Sequence, residues 1–322
     1  MQSIFKRNTR KKHGKAWWKE AGFCLVILVP AVVQWLILGL FPQFDSVGMA
    51  FQKYDAANDT FVWLGKGHAF DNFAKWFQLI FTDKQVGRYL LNGYLFAIIG
   101  IIEGFFSIFV TFVVARRLPL YRFFTNVMLL PSIIGGFAML LIFQAFCNTG
   151  LPEIMRVWFG VENFPKLLSV NSKYALVTTL FWNFFIGFPG SLLMYVGMFR
   201  RIPEELYDYG RLEGLSLSGE FRVLGWPTLY PLWYLSNLGV LTIGFSAMGP
   251  GYGLYGNYAY EYGVATWAYH LFIITRFGAP GDNPANNYCF SAASAIIQAA
   301  ITLCGVLIMR KVLERGDKEI QF

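Results

Sequence analysis

The sequence predicts an all-α integral membrane protein with six transmembrane helices and both termini in the cytoplasm. Three observations predict it. Hydrophobic residues make up 56% of the 322 residues and charged residues only 14%. A soluble domain has about a quarter of its residues charged, so much of this surface must face something other than water. Six apolar runs are each long enough to cross a hydrocarbon core of about 30 Å. The lysines and arginines between those runs are unevenly shared between two sides. The same figures exclude disorder, collagen and a disulfide-stapled secreted fold. A net charge of +8 suggests nucleic acid only where the basic residues gather on a soluble face. Here they flank apolar runs, so the predicted anionic partner is membrane lipid and not nucleic acid.

The first run, residues 22–41, contains no charged side chain. It is long and lacks a small-residue cleavage site, so it reads as a retained anchor and not a signal peptide. The second run, about 89–115, holds a single charge, Glu103. The third covers about 123–147, the fourth 174–199, the fifth 229–249 and the sixth 288–309. A seventh apolar stretch, about 264–274, is too short to cross and reads as interfacial or re-entrant. Counted over alternate segments, Lys and Arg number 18 on one side and nine on the other. The richer side holds both termini, which places them in the cytoplasm. The four cysteines form no CxxC, so neither a zinc site nor a redox pair is predicted.

The two longest segments on the poorer side are residues 42–88 and 250–287. The first should form a small cap with an interfacial helix near 71–81, and it includes a glycosylation sequon at Asn58-Asp59-Thr60. The second is rich in Gly and Tyr and reads as an irregular surface loop. Its Gly251, Gly253 and Gly256 satisfy GxGxxG, but no βαβ unit surrounds them, so the match carries no dinucleotide site. No Walker A sequence occurs, so the chain is not expected to hydrolyse ATP itself.

The informative segment is residues 200–231, between the fourth and fifth runs. Pro203 suits a first helical position, and Glu204 and Glu205 fall where the helix dipole favours negative charge. Leu206, Tyr209 and Glu213 share one face, with Gly210 beside them. Gly214 is placed as a left-handed helix stop. A second short helix should begin near Ser216 or Ser218, and Pro227 and Pro231 mark the turn into the fifth run. A helix lying on lipid would be basic on its polar face, whereas Glu204, Glu205, Asp208 and Glu213 face a lone Arg211. A protein groove is the better partner.

Here the chain resembles the membrane subunits of type I, binding-protein-dependent ABC importers, in particular the sugar-importer permeases. Their cytoplasmic EAA loop reads approximately I-P-x-E-L-Y-E-A-A-x-x-D-G-A, followed by F-x-x-I-x-L-P-x-x-x-P. This chain has Ile202-Pro203, Glu205-Leu206-Tyr207, Asp208-Tyr209-Gly210, Glu213-Gly214-Leu215, then Phe221, Leu224, Pro227 and Pro231. It departs at Asp208, at Tyr209 and Gly210 in place of two alanines, and at Trp226. Phe70-Asp71-Asn72-Phe73, Leu130-Pro131, Trp182 and Gly187 extend the likeness more loosely over most of the chain.

The resemblance implies a division into residues 1–86 (basic N-terminus, first helix and outer cap), a transport core at 87–310 and a cytoplasmic tail at 311–322. It implies an ATPase-coupling loop with Glu205, Leu206, Tyr207, Asp208, Tyr209, Gly210 and Gly214. It also implies two ABC ATPase subunits using ATP and Mg, a second and different permease, an extracytoplasmic solute-binding protein and a bacterial plasma-membrane location. No catalytic residue, cofactor or metal is assigned to this chain. The solute implied is a sugar, with an oligosaccharide favoured and a non-sugar solute the alternative. By residue type and depth, Gln144, Asn183, Tyr195, Ser236 and Asn237 are candidates for the substrate pathway. Each has a second reading, as interhelical hydrogen-bond partner or aromatic-belt residue. Glu103 needs a partner or water and reads as structural. Two rival classes are weaker. An intramembrane serine protease would need Ser246 beside His270, and a secondary transporter would show paired broken helices in inverted halves.

Overall fold

The computed structural model describes residues 15–116, 121–169, 172–199, 202–278 and 283–313. Residues 1–14 of the basic N-terminal arm and 314–322 of the C-terminal tail lie outside the described residues. The regular structure of the described residues is helical apart from one hairpin, with helices α1 (Lys15–Gln34) and α2 (Phe41–Met49) joined by a π-helical turn. Strands β1 (Gln52–Asp55) and β2 (Thr60–Trp63) pair antiparallel with Gln52 opposite Trp63. Then come α3 (Asp71–Thr82), α4 (Lys84–Ala115), α5 (Tyr121–Ile133), α6 (Gly136–Ala145), α7 (Leu151–Phe159) and α8 (Ala175–Phe199). The remainder is α9 (Glu204–Leu212), α10 (Leu217–Glu220), α11 (Trp226–Leu238), α12 (Val240–Ser246), α13 (Gly251–Tyr255), α14 (Trp267–Phe277) and α15 (Ala285–Leu313).

Among the described residues, four helical stretches are long and apolar enough to cross a membrane: Gly22–Met49, Lys84–Ala115, Gly136–Phe159 and Ala285–Val312. Large apolar side chains stand exposed along the first of them, Val26 at 70% and Leu38 at 69%, which suits lipid and not water. Helix α8 adds 25 residues. Two expected runs are interrupted. The third is divided at Ile134–Gly135, so the continuous helix starts at Gly136 and extends to Phe159. Gly135 has φ −54° and ψ 133°, extended backbone that interrupts the helix. The fifth is divided at Gly239, between α11 and α12.

The segment at 42–88 is the hairpin plus α3, close to the helix read from sequence. Asn72 holds them together, donating to the carbonyls of Ala50 and Gln52, both at 2.9 Å. Asp83 then caps α4 by accepting from the Gln85 amide at 2.8 Å, which satisfies one of the free donors at a helix start. The segment at 250–287 is more ordered than an irregular loop. Its aromatics bury themselves, Trp267 and Tyr269 completely, and α13 and α14 form around them. The only sheet among the described residues is the two-stranded hairpin, so the GxGxxG glycines have no βαβ context.

Helix α4 organises the bundle. Near its start, Asn92 donates to the carbonyls of Gly263 and Ala265 at 3.0 and 2.9 Å, holding the α13–α14 segment. Near its end, Phe112 joins Phe199, Tyr207, Phe221 and Leu229 in a buried cluster. Where α4 crosses α12, a Cβ added to Gly93 would sit 2.1 Å from the Gly244 carbonyl oxygen. Only glycine permits that approach, the small-residue contact by which membrane helices pack closely.

Candidate functional site

The segment read as a coupling loop is a helix–turn–helix at the end of the bundle where α4 and α8 finish. Pro203 is the N-cap of α9 and not its first helical residue. With Glu204 and Glu205, the first turn carries the charge that the helix dipole favours. At the other end Gly214 has φ +74°, the left-handed conformation expected for it. The Gly214 amide donates to the Arg211 carbonyl at 3.0 Å and the Leu215 amide to the Gly210 carbonyl at 2.9 Å. These two bonds make a complete Schellman stop. Ser216 caps α10, accepting from the Gly219 amide at 3.3 Å. The chain continues through a π-helical turn, Phe221–Gly225, into α11, so Pro227 lies in the first turn of α11 and Pro231 inside it.

The spacing placed Leu206, Tyr209 and Glu213 on one face, and the bundle buries a neighbouring one. Tyr207 and Gly210 are buried and Leu206 half-buried, while Glu205, Asp208, Tyr209, Glu213 and Gly214 are exposed. Tyr207 packs 6.2 Å from the Phe112 ring. Gly210 lets Leu215 and Glu220 come close, at 3.4 and 3.7 Å from where its Cβ would be. Tyr209 and Leu212 therefore point outward, 66% and 84% exposed. Asp208 and Arg211 form an exposed pair at 3.5 Å, which contributes little to stability.

Behind the helix lies a feature that sequence reasoning missed. Arg116, the C-cap of α4, places Nη2 2.7 Å from Glu220 Oε2 and 3.0 Å from Oε1, with both side chains nearly buried. The guanidinium also lies over Tyr207, 4.1 Å from the ring centroid. Burial pushes the Tyr207 phenol above its ordinary pKa, with Arg116 pulling it down and Glu220 pushing it up. Beside them opens a cleft of about 450 Å³ whose lining includes Glu204, Asp208 and Arg211.

The residues proposed for the substrate pathway separate. Tyr195 is buried, with Ser236 and Glu103 in its polar surroundings. Ser107 Oγ lies 3.2 Å from Glu103 Oε1 and 3.1 Å from the Phe188 carbonyl oxygen, and the Glu103 carboxylate rests against Gly187. These residues of α4, α8 and α11 form one polar locus. Gln144 instead approaches the Leu254 carbonyl at 3.4 Å, toward α13. Asn237 donates to the Trp233 carbonyl of its own helix at 2.7 Å, and Asn183 is half-buried on α8. Ser246 and His270 do not meet as nucleophile and base. Ser246 donates to the Thr242 carbonyl at 2.8 Å, and His270 Nδ1 lies 3.1 Å from the Tyr260 hydroxyl.

The fold is the one seen in the membrane subunits of ABC importers, and the long apolar helices make the chain a multi-pass membrane protein. It superposes on a bacterial ABC transporter that imports the acidic polysaccharide alginate, with a TM-score of 0.66, 17% identity, and 95% of this chain and 100% of that one covered. The same transporter type in complex with a pentasaccharide-bound periplasmic protein gives a TM-score of 0.68, covering 93% and 96%. Among sequence relatives, the galactooligosaccharide permease GanP of Bacillus subtilis is 24% identical over 215 residues, 65% of this chain and about half (51%) of GanP. The probable ABC permease YurN of the same organism is 23% identical across 91% of this chain and 97% of its own length. The maltodextrin permease MalC of Streptococcus pneumoniae is 23% identical across 93% and 71%. No protein-family model matches the chain.

Proposed function

We propose that this chain is one permease subunit of a binding-protein-dependent ABC importer, moving a sugar, with an oligosaccharide favoured, across the bacterial plasma membrane. The observation that carries the reading is α9. It is anchored by Tyr207 and Gly210 and stopped by left-handed Gly214, and it holds Tyr209 and Leu212 outward on an acidic helix. A protein groove of matching shape covers such a face better than anionic lipid does. In this reading α9 is the lever seated in a separate ATPase, which supplies ATP and Mg, and Glu205, Leu206, Tyr207, Asp208, Tyr209, Gly210 and Gly214 form the coupling segment. Six spans with both termini in the cytoplasm, a first unit at 1–86, a transport core at 87–310 and a tail at 311–322 complete it. One loop serves one ATPase, so a second, different permease completes the importer, and an extracytoplasmic binding protein delivers the solute. The locus around Tyr195, Ser236 and Glu103 is the first place to seek substrate, with Gln144, Asn183 and Asn237 as further candidates. The sugar reading is supported by relatives named for galactooligosaccharides and maltodextrin. The test is purification of the complex and its reconstitution in proteoliposomes. ATP hydrolysis that rises with oligosaccharide-loaded binding protein supports the reading. Hydrolysis and uptake unaffected by a panel of oligosaccharides contradict the sugar assignment.

A further inference from the structure

Arg116 ends α4, and Glu220 ends α10, 104 positions later. Glu220 continues without a break into the π-helical turn and α11, while Tyr207 belongs to α9. Three elements therefore converge on one guanidinium, whose Nη2 spans both Glu220 oxygens and whose face lies over Tyr207. Side-chain exposure is 11% for Arg116 and 4% for Glu220. Taking two charges out of water this far is expensive, and well-packed apolar residues would often hold the same elements at least as firmly. Stability alone does not account for the pair. What an ion pair adds over apolar packing is a fixed geometry, because charge and hydrogen bonds specify one arrangement where methyl groups accept many.

We propose that Arg116 and Glu220 are positioning residues that transmit movement of α9 into the membrane helices. The proposal rests on the importer reading above and deepens it. If α9 is displaced, Tyr207 moves against the guanidinium, and the buried pair carries that displacement to the end of α4 and the start of α11. The 32-residue α4 packs along α8 and α12, so it can carry the movement through the bundle. The cleft beside the pair gives α9 room to rock.

The experiment uses the assembled importer in proteoliposomes and reads the ratio of ATP hydrolysis with and without loaded binding protein. Wild type must show stimulation. A wild-type complex that shows none refutes the importer reading, and this proposal with it. The apolar pair Arg116→Met with Glu220→Leu should insert and assemble normally yet lower the stimulation ratio by about tenfold. The swapped pair Arg116→Glu with Glu220→Arg restores the charge pair but removes the guanidinium at position 116 that lies over Tyr207, and should recover the ratio part of the way, above the apolar pair. Arg116→Lys keeps the charge but loses the planar face over Tyr207, and should fall between. A well-assembled apolar pair with a wild-type stimulation ratio would overturn the proposal, as would a swapped pair no better than the apolar one.

Discussion

Gly214 has φ +74° and nothing within 4 Å of the position its Cβ would take, so a substitution there meets backbone strain and no clash. A β-branched residue should cost about 1–3 kcal/mol, while Asn tolerates the left-handed region best. Uptake in membrane vesicles should fall in the order Gly, Asn, Asp, Val, with membrane insertion by immunoblot unchanged. Equal uptake by Gly214→Val and wild type would show that the stop is dispensable. His270 gives a pH prediction. Burial drives its pKa down to about 4, with Asp83 opposing; its ring stacks on Tyr89 at 5.2 Å. The unfolded chain takes up a proton near pH 6.5, so between 6.5 and about 4 it binds a proton that the folded chain does not. Stability should be level above pH 6.5 and fall below it, by up to about 3 kcal/mol. Thermal unfolding of the solubilised protein across this range should show a shallower slope in His270→Phe; an unchanged slope would assign the effect elsewhere. At this scale the sequence was legible where one residue type satisfies one backbone requirement, as at Gly214. It was not legible where burial depends on a neighbour. Nothing in the 203–213 spacing singles out Tyr207, which is buried because Phe112 and Phe221 of other elements pack with it. The Arg116–Glu220 pair left no local trace at all.

Helix crossings set the next scale. At Gly93 an added methyl would lie 2.1 Å from backbone oxygen, and at Gly100, two turns along α4, it would meet nothing within 4 Å. Gly93→Ala should therefore part α4 from α12 and reduce accumulation of folded protein several-fold, whereas Gly100→Ala should be neutral or stabilising by up to about 1 kcal/mol. Fluorescence-detected size exclusion of the two variants checks this, and equal profiles would contradict the close crossing. Apolar length identified most long helices, including the first and the last. It did not find the breaks at Gly135 and Gly239, since a hydrophobic run looks the same whether or not a glycine within it turns. The helix at 71–82 was legible because polar turn residues bound its apolar face. The hairpin and α13–α14 were not, because their order comes from Asn72 reaching back to Ala50 and from tyrosines packing on one another.

For the whole molecule, the charge distribution predicts that the hairpin and α9 lie on opposite sides of the membrane. Helix α4 has the 263–265 segment at its start and Tyr207 at its end. Cysteine substituted at Val62 should react with an impermeant maleimide in intact cells, and cysteine at Leu212 only after permeabilisation; the reverse pattern would invert the topology. Composition made the membrane class legible, and the 200–231 spacing made the helix–turn–helix legible. The solute was not, because the neighbours of a polar side chain, such as Glu103 near Tyr195, are fixed only by the fold. The central claim is that the outward face of α9 meets an ATPase. A photo-crosslinking residue placed at Leu212, 84% exposed, tests it most directly, with one at Val62 on the hairpin as reference. The account predicts an adduct with the ABC ATPase from position 212 and none from position 62. No ATPase adduct at 212, or one at 62, would contradict it.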